Sequence, residues 1–348
     1  KYYSFNENEI QLISGEQIEL FNSFFNIDLS KPWDNNKFLL LPTRDIESWL
    51  SSNSLNKDAF IKMRDKWFSE IMKIKSKRTK PRIDDKTIVS WNALSIIGLI
   101  DAYDAFNDDL LLTKAKNMFD NLLNKGFKNN MLIHTFKEKQ YQDGVLEDYA
   151  FLSKAAMRLF QTTGEEYYFN KSKEIVDNSI KYFKDEESDL LLYTTNKELF
   201  TKIVSIDDGV IPSPNSIIAE QLFNIGHIVF DDYYLDQSNK MVSSVKEIID
   251  GNINSYSVWA NNILNRVELF YEIAVIGKDS DSKTKLISEK LLPNVILVQS
   301  NTESKIPLFV DRYFEDETYI YVCHNKTCQR PETDIKYALE QIPYLKTN

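Results

Sequence analysis

The 348-residue sequence has little glycine, proline or cysteine, with 9 Gly, 9 Pro and 2 Cys. So few Gly and Pro exclude collagen-like and low-complexity chains and favour long regular elements, helices above all. Two cysteines cannot build a disulfide framework, so we expect a reduced, cytoplasmic environment. Mean hydropathy is -0.39, and no apolar run approaches the ~18 to 20 residues that span a bilayer, so we expect no membrane partner.

The charge balance and the missing motifs exclude further classes. There are 42 Lys plus Arg against 52 Asp plus Glu, a net charge of -10, which would repel a phosphate backbone and predicts no nucleic-acid partner. No P-loop, dinucleotide Gly-rich motif or Gly-x-Ser-x-Gly elbow occurs, so we expect no cofactor. The start at Lys1 shows no basic segment followed by an apolar one, and we expect no signal peptide.

Apolar residues recur with helical spacing along most of the chain. Four of the predicted helices are apolar on nearly all sides, and each is followed by an amphipathic one, the pattern of α/α-hairpin repeats. If the apolar helices line a ring, their N-terminal ends open on one face and form a polar funnel. The predicted helices cover residues 6–25, 56–77, 87–106, 109–125, 147–162, 165–184, 214–230, 232–250, 257–275 and 281–292.

The pattern changes after Pro293. Short β-rich runs at 295–298, 306–310 and 319–323 predict strands, and 332–341 predicts a final helix. We therefore expect an α/α-hairpin toroid portion over 1–292 and a small C-terminal α+β appendage over 293–348.

Polar clusters stand at the starts of the four apolar helices, and together they resemble a known family. The clusters are Pro81-Arg82-Ile83-Asp84-Asp85-Lys86 before Trp91-Asn92, Gly144-Val145-Leu146-Glu147-Asp148-Tyr149-Ala150, Asp207-Asp208-Gly209 with Pro212-Ser213-Pro214-Asn215-Ser216, and Tyr256-Ser257-Val258-Trp259. Tyr2-Tyr3-Ser4 and Val322-Cys323-His324-Asn325 with Cys328 add to the match. The ordered set resembles thioredoxin-domain-containing proteins related to spermatogenesis-associated protein 20 and their bacterial YyaL-type relatives.

This resemblance implies a fold and a partner. In that family a thioredoxin-like domain precedes a six-hairpin α/α toroid similar to N-acylglucosamine 2-epimerases and six-hairpin glycosidases. The implied fold is therefore an all-α dominated toroid, N-terminally incomplete in this chain, with a small β-containing appendage. An upstream thioredoxin-like domain would be its partner. The sequence departs from the family pattern at Ala93, where the family usually has Gly.

Four carboxylates at the helix starts are the candidates for catalysis. Asp84, Asp85, Glu147 and Asp148 would supply the paired acids of sugar chemistry, one as general acid and the other as base or nucleophile. The alternative is ordinary capping, or an ion pair of Asp85 with Lys86. Asp148 is the strongest candidate, because a carboxylate that begins an apolar helix must face something polar.

The other candidates would bind the ligand. The aromatic ones stack on a sugar or pack in the core, and the small polar ones bond to hydroxyl groups or cap their helices. Capping is the favoured role for Ser213 and Ser216. The candidate ligand-binding residues are Arg82, Lys86, Trp91, Asn92, Tyr149, Ser213, Asn215, Ser216 and Trp259.

Histidine and cysteine chemistry is sparse. None of the three histidines begins an apolar helix, so a two-histidine epimerase mechanism is not supported. His134 lies in a loop from which it can reach the funnel, whereas His227 is expected to be structural. Cys323, Cys328 and His324 supply at most three ligands and lack Cys-x-x-Cys spacing, so we expect no metal site and a turn with reduced thiols.

Two functions remain open. The first is a carbohydrate-active or carbohydrate-binding toroid, with a sugar or another small polar ligand in the funnel. As an enzyme it would resemble a sugar epimerase, isomerase or glycosidase. A site that has lost its chemistry would be a pure sugar receptor. The second is a docking or regulatory module for the upstream thioredoxin-like domain, with a redox-linked role. Fold analogy alone does not decide between them.

Overall fold

The computed structural model describes residues 2–137, 140–196, 200–249 and 251–343. The chain forms two compact units, Lys1–Asp84 and Asp85–Asn348. Each unit has buried apolar residues of its own. No helix among the described residues is both long and apolar enough to cross a membrane.

The first unit is a small helical body around an aromatic cluster. Strand β1 (Ser4–Asn6) pairs antiparallel with β2 (Lys37–Leu39). Four helices surround a core in which Trp67 and Phe21 are fully buried and meet edge to face. These helices are α1 (Glu7–Ser14), α2 (Ile18–Phe24), α3 (Ile46–Ser52) and α4 (Lys57–Ser76).

The second unit consists mainly of α/α hairpins. Three helix pairs turn through a left-handed residue at Asn107, Gly164 or Phe230, which ends the first helix sharply and lets the second pack back on it. The helix-dominated architecture of consecutive α/α hairpins expected from the sequence is confirmed. The helices are α5 (Val89–Phe106), α6 (Asp109–Lys125), α7 (Leu146–Thr163), α8 (Glu166–Phe183), α9 (Pro214–Val229), α10 (Asp232–Ile249) and α11 (Ser257–Val267).

Burial separates inner helices from outer ones. Helices α7 and α9 are buried on nearly all sides, whereas α6, α8 and α10 bury one apolar face each. Phe151 and Phe160 on α7 are completely buried, and each such side chain stabilises the fold by about 1.5–3 kcal/mol. The predicted helices from 87–106 to 214–230 agree with these bounds within two residues; residue 250, the predicted end of 232–250, lies outside the described residues.

A β-hairpin that the helical pattern did not predict lies before α7. Strand β5 (Met131–Lys137) pairs with β3 (Thr87–Ile88), with β4 (Phe127–Lys128) and with β6 (Gln140–Asp143), in each case antiparallel. Strand β3 runs directly into α5. The hairpin therefore brings residues of β5 to the beginning of α5 and of α7.

The C-terminal part contains a four-stranded sheet in the order β10-β9-β7-β8. Strands β7 (Tyr271–Ile276) and β8 (Val295–Ser300) are parallel and joined by α12 (Ser280–Ser288). Strand β9 (Tyr319–His324) runs antiparallel to β7, β10 (Thr327–Cys328) completes the sheet, and α13 (Ile335–Leu339) follows.

Several predictions for this region were wrong. Helix 257–275 ends at Val267, and the following apolar run is strand β7. The helix predicted over 281–292 is the crossover between two parallel strands, and 306–310 forms a turn instead of a strand. Cys323 and Cys328 form a disulfide, not a pair of reduced thiols. The domain boundary expected at residue 293 stays a prediction.

Candidate functional site

Asp148 and His134 form a hydrogen-bonded pair at the start of α7. Asp148 is fully buried. Its Oδ1 accepts from the Ser90 backbone N–H at 3.0 Å and its Oδ2 from the Val145 N–H at 2.9 Å. The Nδ1 atom of His134, on β5, lies 3.1 and 3.0 Å from the same two oxygens. One carboxylate therefore joins the first turns of α5 and α7 to the β-hairpin.

The surroundings fix the tautomer of His134. A carboxylate that already accepts two N–H groups can only accept again, so Nδ1 carries the proton and Nε2 is left as the free ring nitrogen. No described residue bonds to Nε2, and a quarter of the side chain is exposed, at 26%. The hydrogen bond to Asp148 raises the pKa of His134 above its ordinary value, against desolvation, and the charge of Glu147 acts in the same direction. The imidazole is thus held rigidly at one nitrogen and open at the other.

Glu147 and Tyr193 lie beside this pair. Glu147 is partly buried, and its charge acts on the Tyr193 hydroxyl. Burial, with the nearby charges of Glu147 and Asp148, raises the pKa of Tyr193 to about 12, so the phenol stays protonated and able to donate. The backbone of Tyr193 is also fixed, because its carbonyl accepts from the Leu146 N–H at 2.9 Å.

A second junction joins the starts of α9 and α11 through the partly exposed Asp208. Its Oδ1 accepts from the Ser213 N–H at 2.8 Å and from the Ser216 hydroxyl at 3.1 Å, and its Oδ2 accepts from the Val258 N–H at 2.8 Å. Asp148 and Asp208 therefore play the same part, since each carboxylate satisfies backbone donors at the starts of two inner helices. The polar clusters seen in the sequence are, to this extent, the capping system of the inner helices.

Several predicted ligand-binding residues are buried in that system. The Asn215 side chain is fully buried and bonds to both backbone groups of Leu191 and to the Ser205 carbonyl. Ser213 is the N-cap of α9, and its Oγ accepts from the Ser216 N–H at 3.2 Å. Ser213 therefore has the capping role favoured for it, whereas the Ser216 hydroxyl caps nothing and donates to Asp208 and to the Ser213 carbonyl.

Two of the three candidate aromatics are also in the core. Trp259 is fully buried and its indole N–H donates to the Ile206 carbonyl at 2.9 Å. Tyr149 is 1% exposed, and its hydroxyl accepts from the Leu132 N–H at 3.0 Å. Burial raises the pKa of Tyr149 to about 12. Of the alternatives left open for these two residues, core packing fits the geometry.

The remaining candidates lie on the surface. Trp91 is 63% exposed and directly follows Ser90, whose N–H binds Asp148. Asn92 donates to the Ile88 carbonyl at 2.8 Å. Exposed Asp85 forms an ion pair with Lys137, and Lys86 is exposed as well. Arg82 and Asp84 are exposed residues of the first unit.

Sequence reasoning missed three contributors to this region. Ser90 acts through its backbone, which no side-chain motif reveals. Tyr193 lies in an irregular segment with no local pattern. Asp208 belongs to one of the polar clusters found in the sequence, and its position before an inner helix was the feature that could have identified its capping role. No group of three or more His, Cys, Asp or Glu able to hold a metal ion occurs among the described residues.

Comparison with known proteins gives related sequences and a related fold. No family model matches the chain. An uncharacterised protein of Caenorhabditis elegans is 22% identical over 291 residues, which cover 77% of this chain and 39% of that protein. Human spermatogenesis-associated protein 20 is 21% identical over 292 residues, covering 76% and 37%. The similarity to spermatogenesis-associated protein 20 expected from the motifs is confirmed, and the chain spans less than two fifths of the length of these relatives.

Solved structures similar to this chain have carbohydrate enzymes among them. The GH76 alpha-mannanase of Bacteroides thetaiotaomicron has a TM-score of 0.41 at 14% identity, covering 72% of this chain and 77% of that one. The cellobiose 2-epimerase of Bacillus thermoamylovorans has a TM-score of 0.40 at 14% identity, covering 55% of each chain. Similarity at this level carries no information on activity.

Proposed function

We propose that the second unit binds a carbohydrate at the N-terminal ends of α5 and α7, and that His134 is the proton-transferring group of this site. The observation that carries the proposal is the asymmetry of the imidazole. Its Nδ1 is held by the buried Asp148, while Nε2 has no partner among the described residues. A histidine oriented by a buried carboxylate is a recurrent device for general acid–base catalysis.

The roles of Asp148 and His134 in this proposal differ from the two-carboxylate mechanism expected from the sequence. Asp148 is fully buried and already accepts from Ser90, Val145 and His134, so in this proposal it positions the imidazole and does not touch the ligand. The raised pKa of His134 suits a group that exchanges protons near neutral pH. Proton removal and return at a carbon beside a carbonyl, as in sugar isomerisation or epimerisation, needs such a group.

The neighbouring side chains support a saccharide as the ligand. Glu147 can accept from sugar hydroxyl groups, and the protonated Tyr193 can donate to them. The exposed indole of Trp91, next to Ser90, supplies an aromatic surface on which the C–H face of a pyranose can pack. An acceptor and a donor near one oriented histidine, with an exposed aromatic ring on the first turn of α5, are suited to a neutral polyhydroxylated molecule.

The test is thermal unfolding with a panel of monosaccharides, disaccharides and their phosphates. A ligand that binds only the native state stabilises it by about 2.7 kcal/mol at a hundredfold excess over Kd. We expect one saccharide class to raise the unfolding midpoint of the wild type and of His324→Gln, but not of His134→Gln. His324 is a suitable control because it lies on β9 of the C-terminal sheet, where its Nδ1 bonds to the Phe270 carbonyl.

Turnover is tested separately. The stabilising sugar is incubated with the protein in D2O, and its carbon-bound protons are followed by NMR. Solvent deuterium at one carbon, absent with His134→Gln, is the expected sign of proton transfer. If no saccharide shifts the midpoint, the proposal is wrong, and the alternative of a docking module for an upstream thioredoxin-like domain takes its place.

A further inference from the structure

The Cys323–Cys328 disulfide lies beside a buried carboxylate. It links β9 to β10, where the two cysteines face each other in the register of the hairpin. On the other side of β9, Cys323 is paired with Glu272 of β7. Directly opposed residues of an antiparallel pair point to the same face of the sheet, with Cβ atoms roughly 4.5–5.5 Å apart. Glu272 is 1% exposed and Cys323 is fully buried.

Only one of the two carboxylate oxygens of Glu272 has a hydrogen-bond partner among the described residues. Its Oε1 lies 2.5 Å from Nδ1 of His227, and since two lone pairs would repel at that distance, a proton lies between them. Its Oε2 is buried and has no hydrogen-bond partner among the described residues. A buried oxygen without a donor is costly. In the disulfide, Sγ of Cys323 carries no proton and cannot donate a hydrogen bond to Oε2 of Glu272. A Cys323 thiol would have a proton to donate.

The positively charged guanidinium of Arg312 lies next to Sγ of Cys323. Nη1 of Arg312 is 3.6 Å from Cys323 Sγ and donates to the Leu308 carbonyl at 2.8 Å, which fixes the guanidinium in place. Cationic neighbours stabilise a thiolate relative to a thiol. Cys323 is therefore flanked by a group that stabilises its anion and by a pair that holds a proton.

The two sulfurs differ in access. Cys323 is fully buried, whereas Cys328 on β10 is partly exposed. An incoming thiolate reaches Cys328 first, and Cys323 is then the leaving group, which is the sulfur that has Arg312 and Glu272 beside it. As a simple cross-link the disulfide would add little to the stability of the fold. The two cysteines are only five residues apart in sequence, and stabilisation by loop closure is smallest for short loops.

We propose that Cys323 and Cys328 form a thiol–disulfide exchange centre that a dithiol reduces. A thiolate of the dithiol attacks Sγ of Cys328; the Cys323–Cys328 bond breaks, and its electron pair goes to Sγ of Cys323. Arg312 stabilises this thiolate, and the proton held between His227 and Glu272 is transferred to it. The second thiol of the dithiol then displaces Cys328, so that the dithiol becomes a cyclic disulfide, two protein thiols are formed, and the His227–Glu272 pair regains its proton from solvent.

The test measures how fast dithiothreitol reduces the folded protein. Samples are quenched with an alkylating reagent, and the peptide that carries both cysteines is quantified by mass spectrometry. We expect the wild-type rate to rise linearly with dithiothreitol, because reduction does not wait for unfolding. Arg312→Gln and Glu272→Gln should each slow it roughly tenfold, as expected for loss of leaving-group stabilisation or of a proton donor.

Two further variants separate chemistry from structure. Arg312→Lys keeps the charge and should recover most of the rate, and Glu289→Gln, which removes an exposed carboxylate of the same unit, should leave it unchanged. Thermal midpoints identify any variant that fails to fold, and in that case the comparison of Arg312→Gln with Arg312→Lys decides. A rate that levels off at the unfolding rate, or equal rates in Arg312→Gln and wild type, would overturn the proposal.

Discussion

Replacing Asp148 with asparagine should destabilise the second unit far more than an ordinary Asp→Asn change. Both carboxylate oxygens accept from backbone N–H groups, of Ser90 and of Val145, and both lie within hydrogen-bonding distance of His134. An amide has one oxygen and one NH2 group. Whichever way it is oriented, the NH2 faces one of those backbone donors, and one buried N–H loses its acceptor.

The magnitude follows from these contacts. A buried donor left without a partner costs about 1–3 kcal/mol, and the charge-assisted bond to His134 is lost as well, so we expect about 3 kcal/mol in total. In a unit of this size each kcal/mol lowers the midpoint by roughly 2–4 °C, which gives a decrease of about 6 to 12 °C. Urea unfolding followed by circular dichroism and by tryptophan fluorescence measures the free energy directly.

The control is Asp236→Asn, which changes an exposed carboxylate on α10 and should cost less than about 0.5 kcal/mol. A cost below about 1 kcal/mol for Asp148→Asn would contradict this prediction, because it would mean that the carboxylate is not the acceptor joining α5 to α7. The same logic makes Asp148→Asn a poor control for ligand binding, since it changes the native state itself.

Three further predictions follow from the same contacts. Asp208→Asn should cost about 1–3 kcal/mol in urea unfolding, because it leaves a donor at the start of α9 or α11 without an acceptor; a cost equal to that of Asp236→Asn would contradict this. The pKa of His134 is raised in the folded state, so its contribution to stability is complete below its ordinary pKa of 6.5 and is lost as pH rises through the folded value. The free energy of unfolding should therefore fall over that range in the wild type and fall less in His134→Gln, and equal slopes would disprove the assignment. Trp259→Phe should cost about 1–2 kcal/mol by leaving the Ile206 carbonyl without its indole donor, and an unchanged denaturation midpoint would show that this bond contributes nothing.

Helical periodicity predicted much of the second unit because α6, α8 and α10 are amphipathic, while α7 and α9 are buried on nearly all sides. The same signal failed at residues 271–276. Strand β7 is buried at every position, so it lacks the alternation of a half-exposed strand, and its apolar run extends that of α11. Buried strands and buried helices are not distinguished by periodicity; the β-branched residues Ile273, Val275 and Ile276 were the better indication.

The site depended on contacts that are distant in sequence. Asp148 was identified because a carboxylate opening an apolar helix must meet polar groups, but its main partners are a backbone N–H of α5 and a histidine on a hairpin that has no helical pattern. His134 was therefore only a secondary candidate. Conversely, Trp259 and Asn215 were selected for their position at helix starts, although the same position suits a residue that anchors a neighbouring loop.

In the proposed saccharide site, Nε2 of His134 is the open, functional nitrogen. The most direct measurement is NMR of protein labelled with 15N at its three histidines, recorded while saccharides are added. We expect that Nδ1 of His134 carries a proton throughout, and that one saccharide class shifts its Nε2 resonance while the resonances of His227 and His324 stay unchanged. A folded protein in which no saccharide moves the His134 resonances, or in which Nε2 carries the proton of the neutral ring, would contradict it.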